Sequence, residues 1–156
     1  MSTISDRAPF AANVVAFALF IGSLVIFPNG SQGSTALILA LSGCAVALAG
    51  VALVLWSRAE LGSAWSFLPK ADVDTGLITT GPYRRVRHPI YLGLTLLATG
   101  AALAFGSWSA LLIVSCAVVP TFAWRAHTEE VQLSRIFGER FVAYRERTRM
   151  IIPYLL

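Results

Sequence analysis

The sequence predicts an all-α, polytopic integral membrane protein with four transmembrane helices and a C-terminal amphipathic interfacial helix. Hydrophobic residues make up 56% of the 156-residue chain and charged residues 13%, with a mean hydropathy of +0.71, whereas a soluble domain carries roughly a quarter charged residues. The twelve Lys and Arg and the eight Asp and Glu fall in three segments separated by long uncharged stretches. Four of those stretches approach the roughly twenty apolar residues that a helix needs to cross a bilayer core.

The first span runs from Phe10 to Phe27 and ends in the turn signal Pro28-Asn29-Gly30-Ser31. No small-x-small cleavage site follows it, so it reads as a retained span and not as a signal peptide. The second, Thr35 to Trp56, carries Ala36, Ala40, Gly43, Ala47 and Gly50 at steps of four and three, which puts them on one helical face where a neighbouring helix can approach closely. The third span, about Ile90 to Phe105, and the fourth, Trp108 to Trp124, are short and joined by Gly106-Ser107, which predicts a helical hairpin. After Trp124 the residues Leu133, Phe137, Phe141 and Tyr144 recur at helical spacing between charges and form the amphipathic tail, with Gly138 as its candidate break and Pro153 as its stop. Cys44 and Cys116 each lie in an apolar stretch and read as small buried hydrophobes.

Arg7 precedes the first span; Arg58, Lys70, Arg84, Arg85 and Arg87 lie between the second and third; Arg125, Arg135, Arg140, Arg145, Arg147 and Arg149 follow the fourth. The other two connections carry no Lys or Arg. By the positive-inside rule both termini and the middle loop are expected on the cytoplasmic side. The basic groups that raise the isoelectric point to about 9.6 flank apolar spans, so they read as topology determinants and no nucleic-acid partner is expected. Arg145 reads as part of this tail charge alone. One domain, 1–156, is the simplest partition.

No ionisable side chain lies in the middle of a span, which argues against a small four-helix proton-coupled exporter. Two polar clusters remain at the cytoplasmic edge. In Arg87-His88-Pro89-Ile90-Tyr91, Pro89 opens a helix whose N-terminus and adjacent arginine suit a carboxylate or phosphate; the plainer reading keeps Arg84, Arg85 and Arg87 as topology determinants. In Arg125-Ala126-His127-Thr128-Glu129-Glu130, adjacent acids beside a membrane need a cationic partner, a cationic ligand or water, and Arg125 and Glu129 stand i,i+4. Two histidines in the whole chain are too few for a di-iron centre, and no metal is expected. The two clusters together offer anion- and cation-binding groups on one membrane face, the combination that S-adenosylmethionine requires. No G-x-G-x-x-G lies between a strand and a helix, which excludes a soluble dinucleotide-type enzyme.

The stretch Gly81-Pro82-Tyr83, then Arg87-His88-Pro89-Ile90-Tyr91-Leu92-Gly93, then Arg125 with Glu129-Glu130 and Leu133, then Phe137-Gly138, Tyr144 and Arg147 to Pro153, resembles the isoprenylcysteine carboxyl methyltransferase family and its phospholipid methyltransferase relatives. The resemblance covers residues from about 58 to 153. It implies an S-adenosylmethionine-dependent methyltransferase in a bacterial inner membrane, acting on a hydrophobic or lipid-linked acceptor that arrives through the bilayer. It places Tyr83, Arg87, His88 and Tyr91 on the cofactor-binding motif, Glu129 and Glu130 on the paired-acid motif, and Arg125 on a basic position tied to substrate and catalysis. A carboxylate acceptor would be oriented by Arg125, with Glu130 fixing the arginine; an amine or thiol would give its proton to a glutamate. Two features depart from the family: two spans precede the motif region, fewer than in the eukaryotic carboxyl methyltransferases, and Arg84-Arg85 stands where relatives often carry an aromatic or aliphatic residue. An NADPH-dependent membrane sterol or enone reductase and a non-enzymatic scaffold of the same fold are the alternatives.

Overall fold

A computed structural model describes residues 4–26, 33–62 and 76–152. The turn at Pro28-Asn29-Gly30-Ser31 and the stop at Pro153 lie outside the described residues. Helix α1 spans Ile4–Ile26 and α2 spans Ser34–Leu61. After a 3-10 turn at Gly81–Arg84 come α3, Pro89–Ala104, then α4, Trp108–Ile113, a π-helical turn at Val114–Val118, α5, Val119–Phe137, and α6, Glu139–Arg147. Among the described residues, three helical stretches are long and apolar enough to cross a membrane: Ala8–Ile26, Ser34–Leu61 and the continuous rod Trp108–Phe137. Helix α3 is equally apolar but has 16 residues, about 24 Å of helix against a hydrocarbon core of about 30 Å.

Packing begins with the stripe of small residues. Gly43 and Gly50 are buried, and the same face continues through Val54 and Ser57. It rests on α3 backbone to backbone: a Cβ on Gly50 would lie 2.5 Å from the Gly93 carbonyl oxygen, and one on Gly43 would lie 2.6 Å from that of Gly100. The close approach expected of this face is therefore present, and glycine on both helices is what permits it. Helix α3 packs in turn on α4 and the π turn, and α1 packs along the α4–α5 rod. The core comprises Phe20, Tyr91, Ala98, Ala102, Val114, Val118, Phe122 and Ile151, while Leu37, Ile38, Leu41, Leu48, Leu55 and Trp56 of α2 face outward.

The expected hairpin forms at Gly106-Ser107, where Gly106 takes a φ of +62° and Ser107 Oγ accepts the Ala110 amide at the start of α4. Two expectations need correction. The fourth span does not give way to a separate tail helix after Trp124: the rod runs on to Phe137 and breaks at Gly138, whose φ of +52° ends it. Nothing between those residues interrupts a helix, so the amphipathic stretch is shared by the end of α5 and α6. Cys44 and Cys116 are exposed and not buried, because on the outer face of a membrane helix a small apolar side chain is as well placed as in the core.

The π turn has a local cause. Pro120 lacks an N–H and its ring crowds the preceding turn; the Val119 amide accordingly bonds the Val114 carbonyl, five residues back. Such a bulge amounts to one inserted residue, so every side chain beyond it is rotated by about 100°.

Candidate active site

Two segments far apart in sequence build the site. Pro89 starts α3 and leaves His88 just outside it, buried at 8% exposure. Opposite stands the face of α5 carrying Phe122, Arg125, Ala126, Glu129 and Glu130, about 30 Å along the rod from Trp108 for the two acids, just beyond the span of a hydrocarbon core. His88 stacks on Tyr91 with ring centroids 5.5 Å apart, and Tyr91 stacks on Phe122 at 4.8 Å.

The two acids divide their work. Glu129 Oε1 accepts the Tyr91 hydroxyl at 2.5 Å and the Arg125 Nε at 3.1 Å. Glu130 Oε1 accepts the Arg87 Nε at 2.6 Å, in an ion pair whose side chains are 7% and 4% exposed. This corrects the expectation that Glu130 fixes Arg125. Arg125 and Glu129 are one turn apart, whereas Glu130 lies about 100° further round the helix and faces Arg87. His88 sits between the acids, its Nδ1 3.4 Å from Glu129 Oε2 and its Nε2 3.5 Å from Glu130 Oε1. Burial would push the imidazole pKa down, but the two carboxylates outweigh it and hold it above the ordinary 6.5. Tyr83 is buried beside them, and its phenol is raised by burial first and then by Tyr144 and Glu129.

The chain's last described segment closes this corner. Arg87 and His88 donate their amides to the Arg149 and Met150 carbonyls at 2.7 and 2.9 Å, and Arg149 donates to Arg85 at 3.1 Å, around an isolated parallel bridge between Val86 and Arg149. Arg87 Nη1 also donates to the Thr148 and Arg145 carbonyls at the end of α6. The Tyr144 hydroxyl donates to the Tyr83 carbonyl at 2.7 Å, and Ile151 is buried in the core.

The structure thus brings together Tyr83, Arg87, His88, Tyr91, Arg125, Glu129 and Glu130, while Arg84, Arg85 and His127 are exposed. Arg145 is not mere tail charge: its Nε lies 3.8 Å from Glu130 Oε2. Sequence reasoning also missed Thr148, Phe122 and Glu60. The Glu60 carboxylate backs onto Gly81, where a Cβ would come within 2.8 Å of Oε2. No spacing in the sequence signals contacts of this kind, which cross between elements.

A model of the phospholipid methyltransferase family matches residues 38–140, a stretch that holds every one of these predicted residues. The chain belongs to the phospholipid methyltransferase family. Protein-S-isoprenylcysteine O-methyltransferase of Schizosaccharomyces pombe is 34% identical over 86 residues, which cover 55% of this chain and 36% of that protein. The enzyme of the same name from Saccharomyces cerevisiae is 27% identical over 115 residues, 72% of this chain and 48% of that protein. The chain therefore spans less than half the length of these relatives. The solved eukaryotic intramembrane Ras methyltransferase ICMT shares the fold, with a TM-score of 0.71 over 94% of this chain and 52% of that one at 23% identity.

Proposed function

We propose that this family member is an S-adenosylmethionine-dependent methyltransferase acting on a hydrophobic or lipid-linked acceptor at the cytoplasmic face of the membrane. The observation that carries this reading is a pair of buried polar atoms, His88 Nε2 and Glu130 Oε2, without a hydrogen-bond partner among the described residues. Unsatisfied buried groups cost about 1–3 kcal/mol each, so a ligand that satisfies both is favoured. One is an imidazole nitrogen that can donate and the other a carboxylate oxygen that accepts. That set fits the carboxylate and ammonium of an amino-acid moiety, and the stacked His88, Tyr91 and Phe122 rings add π faces suited to a neighbouring cation. S-adenosylmethionine supplies, when bound, a methyl carbon already activated by a sulfonium.

The protein's own contribution is then positioning and exclusion of water. Glu129 holds Arg125 by its Nε, and Arg125 orients an acceptor carboxylate; with an amine or thiol acceptor a glutamate accepts the proton. His88 immediately precedes α3 and Arg125 lies near the end of the apolar part of the rod, so both stand at one depth. An acceptor reaches them laterally between helices with its apolar part in lipid. Calorimetric titration of the full chain in nanodiscs with S-adenosylhomocysteine and with NADPH tests the reading. Binding of the former alone is expected. Binding of NADPH alone would assign a reductase, and binding of neither would assign a scaffold.

A further inference from the structure

We propose that Phe10, on the first helix and outside the family-matched region, is a positioning residue that sets the plane of the Arg125 guanidinium; this rests on the reading of Arg125 as the group that orients the acceptor. The Arg125 Cζ lies 5.4 Å from the centroid of the Phe10 ring and 5.7 Å from that of Tyr91. Its Nε is engaged by Glu129 Oε1 at 3.1 Å. Two aromatic faces and one carboxylate therefore define the position of a long side chain that would otherwise sample several rotamers.

Phe10 reaches this place because the register of α1 on α5 is pinned nearby. Thr121 Oγ1 lies 3.0 Å from Asn13 Oδ1 and shares its one proton between that oxygen and the Ala117 and Val118 carbonyls of its own helix, and Asn13 Nδ2 donates to the Pro9 carbonyl at 3.0 Å. Asn13 is 6% exposed, in a region where an unpaired amide is costly, so the pair holds α1 at one height. The pairs Asn13 with Thr121 and Phe10 with Arg125 run in opposite chain directions, one turn apart on each helix, so fixing the first delivers the second. Phe17 packs edge-on to Phe122 at 5.8 Å on the same interface. Phe10 itself remains 42% exposed. A core-filling role does not explain an aromatic there.

The test compares Phe10→Leu, which keeps apolar bulk without a π face, with Phe10→Trp, which restores one, in the full chain in nanodiscs. Phe10→Leu is expected to lower kcat about three- to tenfold, the range set by loss of a cation–π contact, with S-adenosylhomocysteine affinity unchanged. Phe10→Trp recovers the rate, and Phe10→Leu adds nothing in an Arg125→Gln background. Full activity of Phe10→Leu, failure of Trp to recover it, or an equal loss of cofactor affinity would each overturn the proposal. If the unsubstituted chain methylates no acceptor, the methyltransferase reading fails separately, and thermal unfolding of Phe10→Leu, Arg125→Gln and the double variant decides the contact. Non-additive shifts in Tm support it and additive shifts overturn it.

Discussion

Arg87 and Glu130 form a buried ion pair at 2.6 Å that ties the segment preceding α3 to the C-terminal half of α5. The same guanidinium bonds the last carbonyls of α6, so one side chain joins the motif corner, the paired acids and the tail. Glu130 is at once a structural anchor through Oε1 and the owner of an unsatisfied oxygen through Oε2, and variants at this position separate the two roles.

Glu130→Gln and His88→Ala are each expected to weaken S-adenosylhomocysteine binding at least about tenfold, or about 1.4 kcal/mol. Glu130→Ala should in addition leave the buried Arg87 Nε–H without the acceptor oxygen that Gln retains, and cost about 3–5 kcal/mol of stability. The control is Arg135→Ala, an exposed cation on α5; Arg145, beside Glu130, is unsuitable. Calorimetry on the four variants checks this, and equal weakening in Arg135→Ala would assign the effect to general electrostatics.

Lateral delivery predicts that acceptor efficiency follows apolar length. In a homologous series of thiol, amine and carboxylate acceptors assayed with radiolabelled cofactor, kcat/KM should improve by up to about 0.8 kcal/mol per buried CH₂. The head group that accepts the label identifies the nucleophile. Equal rates on short soluble and long-chain acceptors would exclude entry from lipid.

A pH dependence follows from His88. Its folded pKa lies above the ordinary 6.5, so the folded state holds the proton more tightly than the unfolded chain does. The resulting stabilisation is complete below that ordinary value and is lost as pH rises through the folded value. Unfolding measured from about pH 6 to 9 should show stability declining in the unsubstituted protein and nearly flat in His88→Asn. Tyr83 and Tyr144, whose phenols are also raised from 10.0, stay neutral across that window.

At the contact of α2 with α3, Gly50→Ala and Gly93→Ala should each destabilise by about 1–3 kcal/mol, since the new methyl meets backbone that cannot move aside. Gly22→Ala in α1, where nothing lies within 4 Å of the added carbon, should be neutral or stabilising by up to about 1 kcal/mol. Thermal unfolding in one detergent compares the three. A destabilising Gly22→Ala, or neutral Gly50→Ala and Gly93→Ala, would mean that close approach does not govern these sites.

The charge distribution predicts that Ser31 and Arg85 face opposite sides of the membrane. Single cysteines placed there, in a chain whose exposed Cys44 and Cys116 are replaced by alanine, should label with a membrane-impermeant reagent from opposite sides. Labelling from the same side would overturn the orientation.

Local rules governed what the sequence by itself determined. The helical class follows from apolar run length, the glycine face of α2 from its alternating steps of four and three and the hairpin from Gly106-Ser107, because each depends on neighbours within one or two turns; the candidate site residues come from the two motifs and the family resemblance that they carry. What only the tertiary structure decided depends on rotation and contact between elements. The π turn at Pro120 adds about 100° to everything beyond it, and the docking of the rod against α3 then decides which carboxylate meets which base. Glu129 therefore takes Tyr91 and Glu130 takes Arg87, whereas the Arg125–Glu129 pair, one turn apart on α5, is local. Phe10 comes to lie on Arg125 through a pin at Asn13 and Thr121, and Arg149 comes to pair with Val86 after the chain has turned at Gly138. Each of these long-range contacts joins residues 38 or more positions apart, a distance over which no helical period carries information and only packing chooses the partner.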